Sequence, residues 1–298
     1  MTQNIVTPDG AAPPRIVAGV DASDNAARAA AWAAREAADQ GLPLHLVHAL
    51  DLPGTTGMAV EPPEFAASQA RAGRELLDRL AADLRDRHPG LTVSTEISEL
   101  GAAETLVVLS GAARLVVTGT RGHGGFAGLL LGSVSHSLAA HSQCPVVVVR
   151  GEEPAAPLGE IVVGVEYGEA EAPIRFAYET AATVGASVTL VRAWWPFASY
   201  TGYSRYAAAP DLDGIQSAEE ADVADLVKAI REEFPHVDTT VHVVQGHPVP
   251  TLATAALGSR LLVVGAHRRR GPLSVGIGYV NQGLLAHSSA PVAIIPIV

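Results

Sequence analysis

The sequence predicts an α/β protein made of two doubly wound, Rossmann-like domains in tandem. Short apolar runs alternate with helical patterns along the whole chain, and the pattern occurs twice. Alternation of this kind belongs to parallel sheets, because each crossover between parallel strands is a helix that packs on the sheet. Several of the runs are nearly unbroken Val, Ile and Leu, as strands covered on both faces require.

In the first half the predicted strands are Ile16–Val20, Leu44–Leu50, Thr92–Ile97, Leu115–Thr118 and Val146–Val149. Between them, Asn25–Gln40, Glu64–His88, Ala102–Ser110 and Ser133–His141 carry helical spacing and good helix formers. Pro145 and Pro291 stand just ahead of the last strand of each half, where a missing N–H costs least. The halves match at an offset of about 146 residues. Arg15–Asp21 pairs with Glu160–Glu166, Leu46–Ala49 with Leu190–Ala193, and His141–Val146 with His287–Val292. Leu115–Gly119 pairs with Leu262–Gly265 if one residue of slippage is allowed. The expected organisation is a disordered tail (1–14), a first domain (15–150), a linker (151–159) and a second domain (160–298).

Composition narrows the function. A net charge of −11 counts against nucleic acid as the main partner. No apolar run approaches the roughly 20 residues that span a bilayer, and the start of the chain lacks signal-peptide character. The one cysteine, Cys144, agrees with a reducing cytoplasm and reads as a small buried residue beside Pro145. Lys228 is the only lysine and lies in the helical stretch Ser217–Phe234, away from any glycine-rich loop. A Walker-type phosphate loop needs its lysine beside the glycines, so that class of ATPase is excluded.

In such folds ligands sit at the carboxyl ends of the strands. Two places there stand out in the first half: Gly19-Val-Asp21-Ala-Ser23, and Gly119-Thr-Arg-Gly122 followed, after nine intervening residues, by Gly132-Ser133-Val134-Ser135. The latter glycines let backbone approach a ligand, and Gly132 onward opens a helix whose N–H groups and dipole favour an anion. Ser133 and Ser135 add hydroxyls, so phosphate can be held without lysine. The plainer alternative is a tight strand-to-helix turn with Ser133 as N-cap. Asp21 divides similarly between a turn former and a group that accepts a ribose hydroxyl or helps hold Mg²⁺. Gly122-His-Gly124-Gly-Phe-Ala127 imitates a dinucleotide fingerprint but follows strand four instead of strand one, and is rejected.

The pattern Gly119-x2-Gly122-x9-Gly132-Ser133, with Val134-Ser135 behind it, resembles the ATP signature of the universal stress protein family. The Val-Asp-x-Ser end of strand one and the Cys-Pro-Val start of strand five extend the resemblance, which covers nearly the whole chain in tandem form. It implies domains like the adenine nucleotide alpha hydrolases, each with a five-stranded parallel sheet in order 3-2-1-4-5. It implies ATP, with Mg²⁺ an accompanying option through Asp21. Gly19 and Asp21 would lie near ribose, phosphate or metal, and the Ala49 backbone near adenine. Gly119 and Gly122 would contact ribose and phosphate, while Gly132, Ser133, Val134 and Ser135 cradle the phosphates. The implied role is a nucleotide-dependent regulator in stress response or growth arrest, acting in the cytoplasm through a protein partner. It also implies an intramolecular pseudo-dimer, with a homodimer conceivable.

The second half departs from this pattern. Its counterparts are Glu166, Ala193, Gly265, Arg268, Gly278 and Asn281, with Arg268 in place of a glycine and Tyr279 in place of Ser133. A side chain where backbone must meet phosphate is a steric fault; Arg268, Arg269 and Arg270 can offer cationic contacts, but the plainer and favoured alternative is a solvated basic loop. This site is expected to be impaired or altered. Trp194, Trp195 and Pro196 either wall an adenine-equivalent pocket or simply pack, and the tyrosine-rich stretch Ser199–Tyr206 offers a contact surface. Two other functions compete with the regulator: slow ATP hydrolysis or phosphate transfer, for which no motif places a general base, and a nucleotide-independent scaffold.

Overall fold

A computed structural model describes residues 14–50, 63–120, 132–150, 158–166, 171–195, 211–267 and 277–297. The tail, most of the predicted linker, Gly122 with the imitation fingerprint, Pro196, the stretch Ser199–Tyr206, and Arg268 to Arg270 lie outside the described residues.

The chain divides into two compact units. The first carries β1 (Arg15–Gly19), α1 (Asp24–Asp39), β2 (Leu44–Ala49), α2 (Pro63–Arg87), β3 (Val93–Ser98), α3 (Ala102–Ser110), β4 (Ala113–Gly119), α4 (Ser133–His141) and β5 (Val146–Val149). Its strands lie in the order β3-β2-β1-β4-β5, and neighbouring strands are parallel. β1 is thus flanked by β2 and β4, and the crossover that leaves β1 for β2 runs opposite to the one that leaves β4 for β5. The crevice at the carboxyl ends of β1 and β4 is the topological switch point where such sheets bind ligands.

The second unit repeats the plan with β6 (Leu158–Gly164), α5 (Ala172–Val184), β7 (Ser187–Trp194), α6 (Leu212–Glu233), β8 (Thr239–Gln245), α7 (Pro248–Ala255), β9 (Ser259–His267), α8 (Tyr279–His287) and β10 (Val292–Ile297). Its order is β8-β7-β6-β9-β10, again parallel. β6 begins at Leu158, inside the stretch expected to be linker. α6 begins five residues earlier than Ser217 because Asp211 caps it, its carboxylate accepting from the Gly214 N–H at 2.9 Å.

Register corrects one sequence pairing. Ile16 lies opposite Leu115 and its counterpart Ile161 opposite Leu261. Leu115–Gly119 therefore corresponds to Leu261–Gly265 with no slippage. The repeated Leu-Leu-Val-Val run lets the sequence slide by one, whereas a one-residue slip in a sheet would turn every side chain to the other face.

Each sheet is buried from both sides. Ile16, Val17, Leu44 and Val116 are fully buried, with Trp32 of α1 and Leu84 of α2 on one face and the buried Leu106 of α3 and Leu138 of α4 on the other. In the second unit Ile161, Val188 and Leu262 hold the matching places, with Tyr178 of α5 and Ile230 of α6 beside them. Cys144 is buried as expected, and burial pushes its thiol pKa up. Ser142 and Ser288 form the same turn into the last strands, their hydroxyls donating to the carbonyls of Cys144 and Ala290. Among the described residues no helix is long and apolar enough to cross a membrane.

Candidate functional site

At the switch point of the first unit the chain leaves β1 through Asp21 and Ser23. The Asp21 carboxylate accepts from the Ser23 N–H at 2.9 Å, a local turn that ends the strand. Ser23 then caps α1, its hydroxyl accepting from the Ala26 N–H. The turn-forming role weighed for Asp21 is therefore present in the fold.

Gly119 is the last residue of β4, and a Cβ there would come within 2.9 Å of the Asn25 backbone carbonyl group. Real side chains do not approach backbone so closely, so glycine is what lets β4 pass the start of α1. Gly19 leaves room for Leu106 of α3, as Gly164 does for Leu252 of α7. This packing accounts for Gly19 without a ligand.

α4 starts against the same strand end. The Gly132 N–H donates to the Thr120 carbonyl at 2.8 Å, and the buried Ser135 hydroxyl donates to the Gly119 carbonyl at 2.8 Å. Ser135 thus spends its proton on holding α4 to β4, leaving its backbone N–H as the group with which it can meet an anion. Gly132 is the N-cap and has no side chain to cover the helix end. The first-turn N–H groups of a helix have no intrahelical acceptor and carry its positive dipole end. Ser133 is exposed at that end and Val134 half-buried. Ala49 closes β2 at the same edge of the sheet. The structure therefore brings Gly19, Asp21, Ala49, Gly119 and Gly132–Ser135 to one edge.

Among the described residues no cluster of three or more His, Cys, Asp or Glu side chains is built to hold a metal. A single strand-end carboxylate fits Mg²⁺ only as an ion carried mainly by phosphate and water.

The second unit is alike in plan and different in surface. Asn281 stands where Ser135 does, and its Nδ2 donates to the Gly265 carbonyl at 2.8 Å. Gly278 caps α8 but sits at φ 79°, ψ 153°, against φ −72°, ψ 154° at Gly132. Tyr279 follows with 72% of its surface exposed. β9 runs past Gly265, with Ala266 and His267 still paired to Pro296 and Ile297 of β10, whereas β4 stops at Gly119. Glu166 is exposed just beyond β6, and Ala193 is the penultimate residue of β7. Trp194 packs, its indole N–H donating to Gln216 at 2.7 Å, while Trp195 is half exposed with its ring centroid 6.0 Å from that of His247.

Two contacts escaped the sequence reading. His48 Nδ1 lies 2.9 Å from the Val20 carbonyl, and at the matching position Arg192 Nη1 lies 3.1 Å from the Val165 carbonyl. Arg192 is also paired with Glu219 at 2.7 Å. The signal was the shared place of His48 and Arg192 in the repeat, two donors of unlike type.

The model of the universal stress protein family matches residues 14–150 and again 158–296. A universal stress protein of Mycobacterium tuberculosis H37Rv is 32% identical over 289 residues, covering 94% of this chain and 95% of its own length. One from Mycolicibacterium smegmatis is 30% identical over 288 residues, covering 94% and 96%. The crystal structure of a universal stress protein from Archaeoglobus fulgidus superposes with a TM-score of 0.71 over 95% of this chain and 98% of its own. At 15% identity that likeness concerns the fold. With both halves matched and the paired strand order in place, the chain belongs to the universal stress protein family, in its tandem form.

Proposed function

We propose that the first unit binds ATP at the carboxyl edge of β1 and β4 and that the protein acts as a nucleotide-dependent regulator in stress response or growth arrest. The observation that carries the reading is Gly132. Its backbone angles suit any residue, so no turn geometry demands glycine there. Its missing side chain leaves the α4 N-terminus without a side-chain cap at the switch point, where oriented N–H groups attract a phosphate chain. Ser133 adds a hydroxyl at that end, and the backbone of Val134 and Ser135 completes the cradle. Asp21 and the Ala49 backbone face the ribose and adenine ends, and Mg²⁺ arrives with the nucleotide. Binding changes the surface that a protein partner reads in the cytoplasm.

The second unit is the impaired copy in this reading. Tyr279 occupies the position of the phosphate-facing serine, and β9 continues two residues beyond its glycine. Hydrolysis plays no part in the proposal.

Titration calorimetry of the whole chain with Mg·ATP tests it, alongside Gly132→Val and Tyr279→Ala. The expected stoichiometry is near one, lost in Gly132→Val and kept in Tyr279→Ala. A stoichiometry near two would show a competent second unit, and no binding by the wild type would overturn the ATP reading.

A further inference from the structure

The parting of β1 from β2, beside the switch point, is held by a side chain, and the same is true of β6 and β7 in the second unit. The Val20 N–H still donates to the Val47 carbonyl at 2.9 Å. Beyond it β1 turns away into Asp21 and α1, while β2 continues against β3, with Ala49 opposite Ser98. A backbone carbonyl at such a fork needs a donor. His48 Nδ1 stands 2.9 Å from it, and a ring nitrogen facing a carbonyl is the protonated one.

α2 fixes the other side of the imidazole. A Cβ on Gly73 would lie 2.6 Å from His48 Cδ2 and 3.2 Å from Nε2, so the ring fits only because residue 73 is glycine. In the second unit the Val165 N–H donates to the Val191 carbonyl at 3.0 Å, and the Val165 carbonyl takes its bond from Arg192. Glu219 holds the place of Gly73 on α6, four residues before the buried Val223 as Gly73 is before the buried Leu77. It grips Arg192 at 2.7 Å, and both side chains are nearly buried. Two different pairs, His48 over Gly73 and Arg192 with Glu219, thus meet one geometric demand.

We infer that His48 is a positioning residue for the nucleotide site of the first unit, setting through the Val20 carbonyl the peptide that leads into Asp21, with Gly73 as its seat on α2. The inference rests on the ATP reading above. Turning that peptide moves the Asp21 N–H and the start of the Asp21–Ser23 turn together, so the loss of His48 is felt as misplacement of Asp21.

The test is titration calorimetry of the full chain with Mg·ATP, with thermal unfolding recorded on every variant. His48→Leu is expected to weaken binding by roughly five- to twenty-fold at unchanged stoichiometry, the scale of one directed hydrogen bond. His48→Leu combined with Asp21→Asn should bind no worse than Asp21→Asn alone, since both act through one group. The double change His48→Arg with Gly73→Glu transplants the second unit's solution and should restore binding to within about two-fold of wild type. If His48→Leu unfolds the unit, His48→Gln, whose amide keeps a donor, and Gly73→Ala, which displaces the ring, replace it. His48→Gln should then bind more tightly than Gly73→Ala. Wild-type binding with an unchanged His48→Leu, effects that multiply with Asp21→Asn, or no rescue by the transplanted pair would each overturn the inference. No binding by the wild type would instead overturn the ATP reading and remove the inference with it.

Discussion

The two units carry the same register and the same strand-to-helix tether, yet opposite glycines at the helix end. Ser135 and Asn281 hold α4 and α8 to the carbonyls of Gly119 and Gly265 at the same 2.8 Å. Gly132 adopts angles open to any residue, whereas Gly278 adopts a pair essentially reserved for glycine. The backbone at Gly278 calls for glycine, whereas the backbone at Gly132 does not. A glycine at a matching position is therefore no proof of a matching site. The strand ends agree with this division, since β4 stops at its glycine and β9 continues.

The sharpest way to break this comparison is alanine at both positions. Gly278→Ala should destabilise the protein by about 1–3 kcal/mol, because the side chain strains an unfavourable backbone. Gly132→Ala should be neutral or stabilising by up to about 1 kcal/mol, through the less flexible unfolded chain. Urea unfolding of the two variants measures this, and equal losses would erase the distinction between the glycines.

A second prediction concerns the shared tether. Ser135→Ala and Asn281→Ala should each cost about 1 kcal/mol in the same unfolding assay, the net worth of a hydrogen bond. A large cost at one with none at the other would mean that only one unit needs its helix tied to the strand.

The smallest expected effect is the pH dependence that His45 brings to the first unit. His45 of β2 is buried between Ser94 and Glu96, with ring nitrogens 2.9 Å from each side chain. Loss of water around the ring outweighs the pull of Glu96 and, with Arg15 opposing the cation, holds its pKa below the ordinary value of 6.5. The fold thus favours neutral His45, so its contribution is whole above pH 6.5 and is lost as pH falls through the folded value. The matching residue of β7 is Thr189, which does not titrate and donates to Glu160 at 2.6 Å. Urea midpoints should therefore fall less steeply below pH 6.5 in His45→Thr than in wild type, and parallel curves would remove His45 from the acid response.

Much of this was legible in the sequence. Ala102–Ser110, Ser133–His141 and Val146–Val149 were read to the residue, because glycine, serine and proline bound them closely in the chain. The tandem was legible too, since repetition over nearly 300 residues survives local change. Register was not: a Leu-Leu-Val-Val run offers two alignments, and only the neighbouring strand selects between them.

The candidate site was legible as a spacing, and its parts were less so. Gly119 and Gly19 read as ligand contacts, and the sequence held no sign that a side chain at either would meet Asn25 or Leu106, far away in the chain. Ser135 looked like a phosphate donor until the Gly119 carbonyl claimed its proton. By itself the sequence determined the fold class, the duplication and the family, because these rest on periodicity and on motifs that are local in the chain. Which glycines serve packing, which serve backbone geometry, and which side chain satisfies the carbonyl where β1 leaves β2 were decided by tertiary structure alone. Those answers depend on atoms brought within 3 Å across long stretches of sequence, and no local pattern encodes such distances.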